Sequence, residues 1–108
     1  MRAYDSLKRR GDFARVTRRG KRHAGTYLTC FVAEGRRRTR VGVTVGSAVG
    51  GAVVRNRLRR RIKAILDRYP LGAPPWRDVV FIARPGAGEL GFEALVAEIA
   101  RVFRPAAA

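Results

Sequence analysis

Three blocks of hydrophobic residues have the composition and spacing of β-strands. Residues 27–33, 40–45 and 78–84 are rich in β-branched and aromatic side chains, which predicts a strand in each block. The third block is a continuous apolar run, as is typical of a central strand covered on both faces. Between the first two blocks lie a turn glycine and three arginines, so these blocks predict a hairpin with a basic tip.

The first part of the chain is polar and basic. Residues 1–11 show no periodicity and predict an extended basic arm. From Asp12, the expected N-cap, to Gly20 the pattern predicts a short basic helix, and a short extra strand is expected near residues 21–23. The apolar side of this helix contains Phe13, Val16 and Thr17.

Two longer amphipathic helices are predicted in the second half. The first occupies residues 53–69 and is stopped by Pro70, and the second occupies residues 89–103, before a flexible tail at residues 105–108. Their apolar stripes are Val54, Leu58, Ile62, Ile65, Leu66 and Tyr69, and Leu90, Leu95, Ile99, Val102 and Phe103, respectively. The order α-β-β-(β)-α-β-α, with one optional strand, indicates the α+β class, as a single-domain α/β sandwich.

Length and charge narrow the class of protein further. With 108 residues, 46% of them hydrophobic, the chain can form one domain over residues 1–108 without disulfide or metal staples. Its 24 Lys and Arg against 8 Asp and Glu give a net charge of +16, and residues 1–63 contain 19 of these basic and 3 of these acidic residues. Such asymmetry favours a polyanion as the partner.

Few side chains offer independent catalytic chemistry. His23 is the only histidine, Cys30 lies in a predicted strand without an evident base, and Glu89 and Glu93 form one helical pair instead of a metal-binding cluster. We therefore predict no catalytic residue and no metal site, and we expect Cys30 in the core. A lone cysteine, no signal-peptide pattern and no apolar run near the ~20 residues of a membrane span favour a cytoplasmic protein.

The helix predicted over residues 53–69 concentrates the positive charge. At 100° per residue, Asn56, Arg59, Arg60 and Lys63 lie within about 100° of one another. A merely solvated face would mix charges of both signs, so a phosphate-binding face is the favoured interpretation. Asn56 either fixes a loop backbone or reads a nucleotide edge.

Two other features suit a nucleic acid, each with a structural alternative. The glycine-rich GSAVGG before this helix either brings backbone N–H groups to a phosphate or is an ordinary turn. Phe13, Tyr27 and Phe31 lie among basic segments, which suits stacking of unpaired bases, while core packing is the default role for each ring.

The segment VGVTVGSAVGGAVVRNRLRRRIK resembles the signature of the bacterial ribonuclease P protein subunit. LKRRGDFARVTRRG and DVVFIARPG resemble two further motifs of that family, in the same order. Four positions depart from the family pattern. Ser47 and Ala48 replace two lysines, Thr17 stands where an aromatic residue is often found, and Arg61 occupies a usually apolar position.

The resemblance implies a fold with a left-handed βαβ crossover and a catalytic RNA as the partner. That RNA removes the 5′ leader of precursor tRNA, with Mg²⁺ held by the RNA and substrate, and the chain alone is not catalytic. The RNA-binding residues it implies are Arg55, Asn56, Arg57, Arg59, Arg60 and Lys63. The leader-binding cleft it implies consists of Phe13, Phe31, Arg15 and Thr17. We expect a monomer in a 1:1 ribonucleoprotein. Two other functions remain as alternatives, namely a ribosomal-type or chaperone-type RNA-binding protein and a stand-alone nuclease.

Overall fold

The computed structural model describes residues 3–103, and these form five strands and three helices. The strands are β1 (Asp5–Ser6), β2 (Lys21–Ala24), β3 (Leu28–Glu34), β4 (Arg40–Thr44) and β5 (Arg77–Ala83). The helices are α1 (Arg10–Arg19), α2 (Ala52–Leu66) and α3 (Phe92–Val102), and a 3₁₀ turn at Ala87–Glu89 precedes α3. This architecture confirms the predicted α+β class, and β2 is the predicted extra strand.

Strand β5 is the centre of one sheet with the order β1-β4-β5-β3-β2. It pairs antiparallel with β3 and parallel with β4, and its Val79, Val80 and Phe81 are fully buried, which confirms the predicted central strand. The predicted hairpin between the first two long strands is wrong, because β5 lies between them. An edge position would leave one side of this wholly apolar strand without hydrogen-bond partners. The connection instead crosses the start of β5, where the Gly35 N–H donates to the Trp76 carbonyl at 2.9 Å.

Helices cover both faces of the sheet. Cys30, Val79 and Phe81 pack in the larger core with residues of α2 and α3. The intervening side chains, such as Val80, pack in a smaller cluster with Val16 of α1. Burial raises the pKa of the Cys30 thiol to about 12, so the expected core role of this cysteine is confirmed.

The boundaries of the long helices follow from their sequences. The α2 stripe is confirmed, since Leu58, Ile62, Ile65 and Leu66 are buried, although the helix ends at Leu66 and a turn replaces its predicted last residues. Helix α3 begins at Phe92, because Gly91 interrupts the segment predicted from residue 89. The unit β4-α2-β5 joins parallel neighbours, and the left-handed sense implied for it stays a prediction.

The amino-terminal segment, predicted as an extended basic arm, packs on the sheet in its described part. Within its described part, Tyr4 and Leu7 are buried, and β1 pairs in parallel with β4. The Tyr4 hydroxyl donates to the Lys63 carbonyl at 2.8 Å, which ties this segment to α2. This packing was not predicted, because two isolated apolar residues produce no periodic signal. The tail predicted at residues 105–108 lies outside the described residues.

The predicted ends of α1 have different outcomes. The helix begins at Arg10 with Arg9 as N-cap, so the prediction of Asp12 as the cap is wrong. The Asp12 carboxylate lies instead 3.3 Å from a guanidinium nitrogen of Arg40, a partner distant in sequence. The predicted stop at Gly20 is confirmed, and a Cβ at Gly20 would lie only 2.4 Å from the Val16 carbonyl oxygen.

Candidate nucleic-acid interface

Helix α2 carries a cluster of cations that have no acidic partner among the described residues. Arg57 and Arg60 are exposed, while Arg55, Arg59 and Lys63 are half-buried. Within residues 3–103, no carboxylate lies within ion-pair distance of any of them. Mutual repulsion in such a cluster is relieved when phosphates bind. We call Arg55, Asn56, Arg57, Arg59, Arg60 and Lys63 the α2 face.

Hydrogen bonds fix the orientation of several side chains on the α2 face. The Asn56 side-chain oxygen accepts a hydrogen bond from Arg59 at 3.0 Å, and Arg59 also donates to the Val45 carbonyl at 3.4 Å. Arg57 donates to the Gly88 carbonyl at 3.5 Å. Asn56 thus holds an arginine in place, a role that neither sequence interpretation of this residue included.

Two further features of α2 set it apart from an ordinary solvated helix. The Nε of Arg55 is buried and has no hydrogen-bond partner among the described residues. A buried unsatisfied donor costs about 1–3 kcal/mol, so a ligand that reorients this guanidinium can recover free energy. Val53, near the start of the helix, is 77% exposed beside these cations. Helix α2 therefore combines the unpaired charge of the α2 face with an exposed apolar side chain beside it.

On the opposite face of the sheet, two half-buried rings lie where α1 packs on the strands, and we call the surface around them the cleft. Phe13 of α1 and Phe31 of β3 pack against the cluster around Val16 and Val80. Phe13 lies over Gly42 of β4, where an added Cβ would be 2.4 Å from the ring atom Cζ. The absence of a side chain at Gly42 makes room for this ring.

Thr17 and Arg15 are also brought to this side of the molecule, with different partners. The Thr17 hydroxyl donates to the Phe13 carbonyl at 2.9 Å, so it is engaged within α1. The Arg15 guanidinium pairs with Asp78 of β5 and lies 3.7 Å from Asp12. The charge of Arg15 is therefore largely neutralised at one end of the cleft.

Asp78 is a buried carboxylate that organises this end of the cleft. Its two oxygens accept hydrogen bonds from Arg40 at 3.0 and 2.7 Å, in addition to the contact with Arg15. Burial alone would raise the pKa of Asp78, but the hydrogen bonds and charges of Arg40 and Arg15 outweigh it and lower this pKa below its usual value. Neither Asp78 nor Arg40 was predicted as a site residue, although Asp78 is the first residue of the motif DVVFIARPG.

A cavity of about 700 Å³ adjoins Asp78 at the start of β5. Six arginines line it, and we call this group the arginine basin: Arg9, Arg15, Arg36, Arg37, Arg38 and Arg40. Three of them come from the connection between β3 and β4. The sequence showed this run of arginines but did not indicate which other residues would surround it.

Residues 3–103 contain no group of three or more His, Cys, Asp or Glu side chains arranged to hold a metal ion. Glu89 and Glu93 are exposed, and His23 is half-buried on strand β2. The helices of this part of the chain are all too short or too polar to cross a bilayer.

The fold and these surfaces define a class of protein, namely a small and strongly basic α+β domain with a cationic helix on one face of the sheet and an aromatic cleft on the other. A family model described as Ribonuclease P matches residues 1–107. The chain is 43% identical over 108 residues to the "Ribonuclease P protein component" of Roseiflexus castenholzii, covering 97% of this chain and 87% of that protein. It is 39% identical over 99 residues to that of Acidothermus cellulolyticus, covering 89% and 82%.

Solved structures agree with these sequence matches. The RNase P protein from Thermotoga maritima superposes with a TM-score of 0.81 at 25% identity, covering 92% of this chain and 97% of that one. The Staphylococcus aureus RNase P protein has the same fold, with a TM-score of 0.79 at 22% identity and 90% of each chain covered. The chain belongs to the ribonuclease P protein component family, which confirms the resemblance seen in its sequence.

Proposed function

We propose that this chain binds the ribonuclease P RNA and the 5′ leader of precursor tRNA, and so assists the Mg²⁺-dependent removal of that leader. The α2 face binds the RNA subunit, and the cleft with Phe13 and Phe31 binds the single-stranded leader. One observation carries the proposal: unpaired cations and half-buried rings lie on opposite faces of one sheet. A subunit of this kind can therefore contact an RNA and a leader at the same time.

The two surfaces use different physical interactions. Cations of the α2 face gain free energy when phosphates displace counterions, so this contact weakens steeply with salt. Unpaired bases that stack on aromatic rings contribute about 1–3 kcal/mol each, with little dependence on base identity. The α2 face thus supplies attachment to the RNA subunit, and the cleft supplies the distinction between precursor and mature tRNA.

We place the Mg²⁺ ions of the reaction on the RNA and the substrate. The carboxylates nearest the cleft, Asp12 and Asp78, are already engaged by Arg15 and Arg40, so they are not an open set of oxygen ligands. The protein's part is to bind and orient. We also propose that the protein forms a 1:1 complex with the RNA in the cytoplasm. Its single cysteine, Cys30, is a buried free thiol, and a chain with no disulfide to form does not need an oxidising compartment.

Precursor-tRNA cleavage tests this proposal directly. The chain alone should not cleave, and its addition to a bacterial ribonuclease P RNA should raise the cleavage rate at low Mg²⁺. A ribosomal-type or chaperone-type protein would give no specific stimulation, and a stand-alone nuclease would cleave without the RNA. Either result would overturn the proposal.

Variants of the α2 face locate the contact with the RNA subunit. Arg57→Gln with Arg60→Gln should reduce the slope of log K against log salt by about one for each phosphate that the variant no longer binds. The matched control is Arg84→Gln with Arg101→Gln, two exposed arginines outside the α2 face. Equal decreases in RNA affinity in the two double variants, measured at one ionic strength, would show that the attraction is not localised on α2.

A further inference from the structure

We propose that the arginine basin binds backbone phosphates of the leader beyond the nucleotides that stack in the cleft. This inference rests on the proposed function of the cleft and adds a second leader site, which reads charge instead of bases. It assigns a role to the arginine-rich connection between β3 and β4, which belongs neither to the α2 face nor to the aromatic floor of the cleft.

The charges of the basin divide into a paired and an unpaired set. Arg15 and Arg40 are held by Asp12 and Asp78, and Arg38 lies 3.1 Å from Asp5. The remaining arginines, Arg9, Arg36 and Arg37, are exposed and have no carboxylate partner within residues 3–103, while the only other acid lining the cavity is Glu34. The basin therefore keeps an excess of positive charge after its internal ion pairs are counted.

The basin continues the cleft along the same face of the sheet. Phe31 is paired with Val80 of β5, and Ala33, two residues further along β3, is paired with Asp78. Two residues along a strand span about 6.6 Å, so the basin begins one side-chain step beyond the Phe31 ring. On α1, Arg9 precedes Phe13 by about one helical turn. An RNA leader that passes the two rings and continues along β3 toward the level of Asp78 therefore enters the basin without crossing the sheet.

The chemistry of the basin favours phosphates over bases. None of the described residues that line the cavity is aromatic, so they offer no ring on which a base could stack. A guanidinium presents a planar set of donors that matches phosphate oxygens in a bidentate arrangement. The ligand class is a single-stranded phosphodiester backbone, and the affinity it adds should not depend on base sequence.

Precursor tRNAs with leaders of increasing length test the second site. In the reconstituted holoenzyme, affinity should rise once the leader is long enough to reach the basin, and Arg36→Gln with Arg37→Gln should abolish that rise. If the double variant no longer binds two phosphates of the single-stranded leader, its slope of log K against log salt should be less steep by about 1.4. This difference corresponds to about 25-fold in affinity between 0.1 and 1 M salt. Arg84→Gln with Arg101→Gln removes the same charge at two positions outside the basin, one directly after β5 and one on α3, and should keep the rise.

Neutral linkages identify the group that is bound. Methylphosphonate linkages in the distal leader should remove the advantage of the parent over the Arg36/Arg37 variant, while abasic distal nucleotides should leave it intact. The inference is overturned if the double variant keeps the full dependence on leader length, or if distal abasic sites abolish it. If the parent itself does not distinguish precursor from mature tRNA, the cleft assignment fails instead, so the two failures are separable.

Discussion

Gly42→Ala should displace the Phe13 ring from the floor of the cleft. A Cβ at this position would lie 2.4 Å from Cζ and 2.5 Å from Cε1 of Phe13, and 3.3 Å from Cβ of Leu7. Ordinary contact between carbon atoms needs about 3.5 Å, so the ring must move by roughly 1 Å or turn into solvent. Gly42 does not have a positive φ, so the added methyl group itself is compatible with the strand.

The magnitude follows from overpacking around the Phe13 ring. Forcing a methyl group into a packed site costs about 1–3 kcal/mol of folding free energy. Removal of the ring by Phe13→Ala should relieve the overlap, so in that background Gly42→Ala should cost nearly nothing, and alanine in place of glycine in a strand can add about 0.5–1 kcal/mol. The two substitutions should thus show a coupling free energy of about 1–3 kcal/mol.

Urea denaturation of the parent, the two single variants and the double variant measures this coupling. Gly11→Ala is the matched control, because a Cβ at Gly11 meets nothing within 4 Å, and this helical position should be stabilised. In the holoenzyme, Gly42→Ala should weaken binding of precursor tRNA and leave mature tRNA nearly unaffected. Additive effects of Gly42→Ala and Phe13→Ala on stability would refute the assignment of this glycine to the ring.

Three further predictions concern single residues. Asp78→Asn should lower the free energy of unfolding by about 1–3 kcal/mol at neutral pH, because it removes the charge that accepts hydrogen bonds from Arg40 and Arg15, while both guanidinium groups stay partly exposed. Because the pKa of Asp78 is lowered, its contribution to stability is present above about pH 4 and is lost as the pH falls further. Denaturation at a series of acidic pH values should therefore show a smaller decrease in the free energy of unfolding in the variant than in the parent. Glu98→Ala should lower stability by about 1–3 kcal/mol, measured by thermal denaturation, because the Glu98 carboxylate accepts the N–H groups of Tyr27 and Leu28 at 2.6 and 3.0 Å. Thr17→Phe should strengthen binding of precursor over mature tRNA by up to about 1–3 kcal/mol, and equal effects on both ligands would argue against Thr17 in the cleft.

Local patterns in the sequence predicted the elements of the fold better than their pairing. The central position of β5 and the apolar stripe of α2 followed from hydrophobic spacing. A strand buried on both faces is apolar at every position, whereas a helix buried on one side has apolar residues at about every 3.6 positions. The order of the strands in the sheet produces no such pattern in the sequence. The connection after Glu34 has a composition that suits a hairpin, but the pairing of β3 with β5 is decided by long-range burial of the central strand.

The candidate site was likewise predictable in part. The cations of α2 and the two rings could be identified by residue type, since charge and aromaticity are properties of single residues. The ion pairs of Asp78 join residues 63 and 38 positions apart in sequence, and one chain without its fold gives no measure of that proximity. For the same reason, the arginine run after Glu34 could be seen as a basic tip but not as one wall of a cavity that includes Arg9.

Helix α1 connects the cleft and the arginine basin, and its attachment to the sheet explains how they act together. Val16 is its only fully buried residue, so its position depends on the packing of Phe13 over Gly42 and on the ion pairs of Arg15. Packing is insensitive to salt, whereas exposed charges are screened over about 8–10 Å at physiological ionic strength. A leader bound at both sites would contact this helix through the Phe13 ring and through Arg9 at its N-terminus. Rising salt should therefore release the distal phosphates first and leave stacking on the rings as the remaining basis for recognising the leader.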